Sequence, residues 1–352
     1  MRQAEPRVSR DGRSGRTASG STAGTPWTRC GRVGLVCRRR NPGLNAEFMD
    51  RRFAIGAVLK RGVRLRLNLR GQAVGLIACS DGRPEGDPAV QGLVQALAGW
   101  GMQPVLARTL YRRAPAPFSG SPQDRARQLM EFFRDDAIRA IFDISGGDSA
   151  NQILPYLDYD VIRKQAKPFF GMSDVSVILN AITARSAVPA FHYQIANLVG
   201  AHSHAQRALF QELFLDDRDT WHRVTFRYSW LRGRGLAGCV VGGNIRCFLK
   251  LAGTPYLPDP RNKILFLESL GGGPGRMASL LSQLRHMGYF DQLEGVLLGS
   301  FTQMAVESQQ PTIEELVLDA AHDYHFPIAM TQQVGHGDDA HCLPLGLALS
   351  LD

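Results

Sequence analysis

The chain has 352 residues, of which 44% are hydrophobic and 21% charged. That is ordinary globular composition, long enough for two cores rather than one. Its net charge of +9 belongs to one end: residues 1–70 hold 17 Lys and Arg against 4 Asp and Glu, whereas residues 71–352 hold 24 against 28. The body is mildly acidic, which argues against a basic groove for nucleic acid.

The segment 1–70 opens MRQAEPRVSRDGRSGRTASGSTAGTPWTRC. It is rich in Arg, Ser and Gly, lacks apolar periodicity and cannot bury enough surface to fold, so it reads as a disordered basic extension. An organelle transit peptide shares this composition; a wrongly assigned start, with Met49 the true beginning, is the favoured reading. There is no secretory h-region. The longest charge-free run, Ser186 to Gln206, is broken by Pro189, His192 and Asn197 and is no membrane span. Cys30, Cys37, Cys79, Cys239, Cys247 and Cys342 show no C-x-x-C spacing, which argues against a zinc site or a disulfide framework and fits a reducing, cytoplasmic setting.

From Gln72 the pattern is regular. QAVGLIA reads as a buried strand, PAVQGLVQALAGWG as a helix and QPVLAR as the next strand. Ser121 and Pro122 open a second helix, a cap followed by proline, with Leu129, Met130 and Phe133 on its inner stripe. IRAIFDI is a strand, SGGDSANQILPYL turns into a further helix, and KPFFGM leads to the corner at Ser173. Strands alternating with helices predict a doubly wound parallel sheet over 71–200, with ligands at the carboxyl ends of its strands. Residues 201–235 read as a linker of one helix and a polar strand. A second domain, 236–352, holds the strands KILFLES and GVLLGSF, a helix through Met277 to Met287, a helix after Pro311 and a terminal stretch VGHGDDAHCLPLGLALSLD.

The corner FFGMSDVSVILN admits two readings. Ser173 or Asp174 caps the helix that follows, or the corner is a nucleophile elbow that exposes a hydroxyl at the positive end of a helix. Glu268 closes an apolar strand, where a buried carboxylate needs a partner. His336 lies in VGHGDD between glycines that allow a sharp turn. Together the three supply the nucleophile, base and orienter of acyl-transfer chemistry.

The order Ser…Glu…His, with GGDSANQILPYLDYD, KPFFGMSD, GGN, LAGTPYLPD, ILFLE, GVLLGSF and GHG…LPLG, resembles the serine LD-carboxypeptidases, which include murein tetrapeptide carboxypeptidases and microcin-immunity peptidases. The likeness runs from about Gln72 to the C-terminus. It implies an α/β fold: an N-terminal doubly wound parallel sheet of class I glutamine-amidotransferase type, plus a C-terminal mixed α/β domain of swivelling type. It implies Ser173 as nucleophile, His336 as general base, Glu268 as the carboxylate orienting the imidazole, and the backbone N–H groups of Gly147 and Asp174 as oxyanion hole. It also implies a cytoplasmic homodimer acting on murein peptide, through an acyl-enzyme and with neither metal nor cofactor.

Recognition of a substrate carboxylate needs a cation or several N–H donors, and Arg276 is the candidate. The microcin-immunity branch, which releases an aminoacyl nucleotide, would need an aromatic platform, and none stands between Ser269 and Arg276. Ser145, where many murein carboxypeptidases have Arg, points the other way. Met172 replaces a usual aromatic or histidine, and SLGGGPG lacks the second acid common in the family. A non-catalytic ligand-binding protein of the same fold is the alternative from another class. LGGGPGR has neither the Lys-Ser/Thr of a phosphate loop nor a dinucleotide fingerprint.

Overall fold

A computed structural model of the protein describes residues 67–216 and 223–352. Met49, Cys30, Cys37 and nearly all of the basic extension lie outside the described residues. Leu67 and Leu69, at the end of the segment read as that extension, are buried in a core beneath the first sheet.

The first half alternates as its apolar runs predict. Strand β1 (Ala73–Ile77) leads to α1 (Pro88–Ala98), whose first turn is capped by the Asp87 carboxylate accepting from the Ala89 N–H at 2.9 Å. Then come β2 (Gln103–Leu106), α2 (Pro122–Arg134) and β3 (Ile138–Asp143). Ser121 caps α2 ahead of Pro122, as expected, by accepting from the Asp124 N–H. The stretch SGGDSANQILPYL departs from expectation: it forms a 3-10 helix over Ala150–Tyr156. Pro155 sits inside it, and a residue without an N–H whose ring crowds the preceding turn does not continue an α-helix. The α-helix comes later, as α3 (Tyr159–Gln165), capped by Asp158. Strand β4 (Phe169–Gly171), a 3-10 turn at Ser173–Val175, α4 (Ser176–Ser186), β5 (Ala190–His192) and α5 (Ser203–Phe214) complete this half.

Next in chain order are β6 (Ser229–Arg232), β7 (Leu236–Asn244), α6 (Ile245–Leu249), β8 (Lys263–Ser269), α7 (Pro274–His286), β9 (Leu293–Phe301), α8 (Thr302–Val306), α9 (Ile313–Ala320), β10 (Ile328–Met330), β11 (Leu343–Leu345) and β12 (Ala348–Leu351). Two six-stranded sheets result, with orders β11-β5-β4-β3-β1-β2 and β12-β7-β8-β9-β10-β6. The first is parallel except for β11. The second has four parallel central strands and two antiparallel edges.

Two edges differ from the sequence reading. Strand β6 lies in the segment read as a linker, yet it closes the second sheet against β10. Strand β11 lies in the terminal stretch assigned to the second domain, yet it pairs with β5 of the first sheet. Helix α4 joins the two sheets. Every residue from Ser176 to Ile182 is buried, and its aliphatic side chains share one core with β7, β8 and β9. A helix apolar all round must be covered on all sides, and each Ile, Leu or Val so covered contributes about 1.5–3 kcal/mol of transfer free energy. The Asn180 amide fixes the register by donating to the Gly242 carbonyl at 2.6 Å and accepting from the Gly242 N–H at 2.9 Å.

In the first sheet the order reverses between β1 and β3, and in such sheets the crevice outside the carboxyl ends at the reversal binds ligands. The loops leaving β1, β3 and β4 there carry Ser80–Asp81, Ser145–Asp148 and Ser173–Asp174.

Candidate active site

Ser173 has φ of +60°, a left-handed conformation that costs a residue with a Cβ about 1–3 kcal/mol and persists only where the surroundings impose it. The surroundings here are close. A Cβ on Gly171 would lie 2.4 Å from Val175 Cγ1, so the strand meets the helix with no room for a side chain at that position. The capping reading fails on geometry. Neither the 3-10 turn nor α4 has a side-chain cap, and among the described residues nothing hydrogen-bonds the half-buried Ser173 hydroxyl. The Asp174 carboxylate turns inward and is fully buried. It accepts from Ser80 Oγ and from the Ala150 N–H, each at 2.7 Å, and from Lys250 Nζ at 2.5 Å.

Glu268 is the penultimate residue of β8, fully buried, and its Oε2 is hydrogen-bonded to His336 Nδ1. The His336 ring, 7% exposed, is presented on a loop whose N–H donates to Ser300 Oγ at 3.2 Å. Gly335 makes that turn possible: its φ is +139°, and a Cβ there would lie 2.2 Å from Ser300 Oγ and 3.3 Å from Glu268 Oε2. His336 Nε2 is buried without a hydrogen-bond partner among the described residues. An imidazole held through one nitrogen by a carboxylate, with the other unengaged, is the arrangement a general base requires.

The structure brings Glu268 and His336 into direct contact, whereas no hydrogen bond among the described residues links the Ser173 hydroxyl to His336 Nε2; the sheets that position them meet at α4. Asn244, level with Glu268 in the β7–β8 register, donates its N–H to Ser176 Oγ at 3.1 Å. Gly171, two residues before Ser173, is level with His192 on β5. His192 Nε2 lies 3.7 Å from Glu268 Oε1, too long for a hydrogen bond but close for two groups that are both buried. Sequence reasoning passed over His192, which it read only as an interruption of an apolar run. The available signal was a histidine ending the strand beside the one that leads to Ser173.

Gly147 has φ of +124°, and a Cβ there would lie 2.5 Å from the Asp81 carboxyl carbon. Burial, and then the neighbouring Asp174 carboxylate, push the Asp81 carboxyl up. Ser145 is buried in the loop scaffold, its N–H and hydroxyl donating to Asp143 Oδ1 at 2.8 and 2.6 Å. Arg276 is exposed at the start of α7, and among the described residues it has no ion-pair partner. Cys79, Cys239, Cys247 and Cys342 are free thiols. Among the described residues no group of three His, Cys, Asp or Glu forms a metal-holding cluster, and no helix is long and apolar enough to cross a membrane.

Burial alone would raise the Glu268 carboxyl, but the adjacent His192 and His336 rings outweigh it and hold the group below its ordinary 4.5, at about 2. A carboxyl depressed by folding stabilises the fold fully above its unfolded value and loses that contribution as pH falls through the folded one. Glu268→Gln therefore flattens the acid limb of stability. In urea titrations between about pH 5 and pH 2, the wild type is expected to lose about 3 kcal/mol more than the variant, and parallel curves would refute the assignment.

Comparison with known proteins bears on this geometry. Residues 74–193 match the family description "LD-carboxypeptidase N-terminal domain", and residues 237–351 match "LD-carboxypeptidase C-terminal domain". A probable murein peptide carboxypeptidase of Bacillus subtilis (strain 168) is 25% identical over 289 residues, covering 80% of this chain and 89% of the relative. The murein tetrapeptide carboxypeptidase of Pseudomonas aeruginosa is 26% identical over 243 residues, covering 66% and 79%. Among solved structures, a mutant of the microcin C7 self-immunity protein MccF in complex with adenosine monophosphate superposes with a TM-score of 0.71 at 20% identity, covering 82% of this chain and 96% of that one.

Proposed function

Because the chain belongs to the LD-carboxypeptidase family, we propose that it is a serine peptidase that hydrolyses the bond before a C-terminal D-amino acid, releasing D-alanine from murein tetrapeptide. The observation that carries this reading is the buried Glu268–His336 hydrogen bond that leaves Nε2 unengaged.

In this mechanism His336 Nε2 takes the proton of Ser173 Oγ as the hydroxyl attacks the scissile carbonyl. Glu268 stabilises the imidazolium that forms. The developing oxyanion is received by the N–H groups of Gly147 and Asp174, on the two loops that flank the β3 and β4 ends. One such donor is worth about 3–4 kcal/mol in the transition state. His336 then delivers the proton to the departing D-alanine amine, and water resolves the acyl-enzyme by the same route in reverse. Arg276, at the α7 start, has no ion-pair partner among the described residues and would pair with the terminal carboxylate of the substrate.

The test is incubation of the purified protein with murein tetrapeptide, scoring free D-alanine and tripeptide in equal amounts. Relatives of this fold include an immunity protein seen with a nucleotide, so a peptidyl-nucleotide conjugate is assayed in parallel. Cleavage of the conjugate alone would transfer the mechanism to that substrate class. Cleavage of neither, with no labelling of Ser173 by a fluorophosphonate, would leave a ligand-binding protein.

A further inference from the structure

Helix α6 carries two cations towards the loops of the first sheet. Lys250, at its C-terminal cap, spends all three ammonium hydrogens on them: Nζ donates to the Asp148 carbonyl at 2.9 Å, to Asp148 Oδ1 at 3.0 Å and to Asp174 Oδ1 at 2.5 Å. Arg246, one turn earlier, reaches Asp148 Oδ1 and, among the described residues, no other carboxylate. The Lys250 side chain is 18% exposed and the Asp174 carboxylate wholly buried, so this contact is largely shielded from water and is screened less than a surface pair. The second Asp174 oxygen holds the Ala150 N–H and the Ser80 hydroxyl.

Asp148 immediately follows Gly147, and Asp174 immediately follows Ser173. One ammonium thus ties together the two loops whose N–H groups form the proposed oxyanion hole, and it does so from a helix that follows β7 of the second sheet. We infer that Lys250 is a positioning residue: through Asp148 and Asp174 it sets the spacing between the Gly147 and Asp174 N–H donors, and so governs the transition state rather than substrate binding. The inference rests on the oxyanion assignment made above. Donors aimed at a developing charge lose their value when displaced by a fraction of an ångström, whereas ground-state binding through distant groups does not.

Lys250→Met keeps the aliphatic stem and removes the ammonium. With tetrapeptide, its kcat per folded molecule is expected to fall about 100-fold while KM stays within about threefold. Lys250→Arg keeps a cation and donors and is expected to return kcat to within about tenfold of wild type. Arg246→Met, which leaves the Asp174 contact intact, is expected to lose only about threefold. Should Lys250→Met fail to fold, Lys250→Gln carries the same comparison. A folded neutral variant with wild-type kcat, or one that raises KM at constant kcat, overturns the inference. The rate of Ser173 labelling by a fluorophosphonate separates this from the substrate reading. If the wild type releases no D-alanine but is labelled, and Lys250→Met is labelled about 100-fold more slowly, the clamp stands and only the substrate falls.

Discussion

Ser173→Ala is expected to abolish D-alanine release, lowering kcat by about 10⁴–10⁶-fold while the tetrapeptide still binds, since removal of the nucleophile leaves only the oxyanion donors and binding to act. The same position offers a second reading of its geometry. At φ of +60° a side chain strains the backbone, and glycine does not. Ser173→Gly is therefore expected to be as inactive as the alanine variant but more stable than it by about 1 kcal/mol in chemical denaturation. Such opposed effects are what a residue held in a costly conformation for its chemistry should give. Equal stability of the two variants would show that the corner carries no strain, and residual turnover near wild type would remove Ser173 from the mechanism.

His336→Ala is expected to lower kcat by a comparable 10⁴–10⁶-fold, about as much as Ser173→Ala, because in the proposed mechanism the two would act as a unit. It is also expected to destabilise the protein by about 3 kcal/mol near neutral pH, since Glu268 then stays buried without its hydrogen-bonded partner. Adding Glu268→Gln to His336→Ala removes the stranded charge. Stability should partly recover while activity does not, and urea unfolding beside the D-alanine assay reads both. If the second substitution destabilises further, the carboxylate is held by something other than the imidazole.

Much of this molecule is legible in its sequence. The buried runs of β1, β3 and β8, the Ser121–Pro122 start of α2 and the sharp turn at Ser173 are local patterns, written in residues a few positions apart. The order of Ser173, Glu268 and His336 was visible as well, and the Glu268–His336 contact across 68 residues follows it. The misreadings share a cause. Residues 150–156 have apolar spacing that suits a helix, but Pro155 limits the segment to 3-10 turns. Strands β6 and β11 are short segments whose partners lie in other parts of the chain, and nothing in their own periodicity says which sheet edge they will complete.

What the sequence determined by itself was the alternation of strand and helix, because apolar periodicity and turn-forming residues act over a few neighbours; it also offered Ser173, Glu268 and His336 as the candidates for chemistry. Only the tertiary structure decided where the charges point. It turned the Asp174 carboxylate away from the helix it could have capped and onto Lys250, 76 residues on. It set His192 beside Glu268, and it buried Arg125 with its guanidinium on the Cys79 carbonyl and Ser149. Hydrogen bonds and ion pairs depend on separation in space and on the water left around them, and both quantities come into being when the two sheets close on α4.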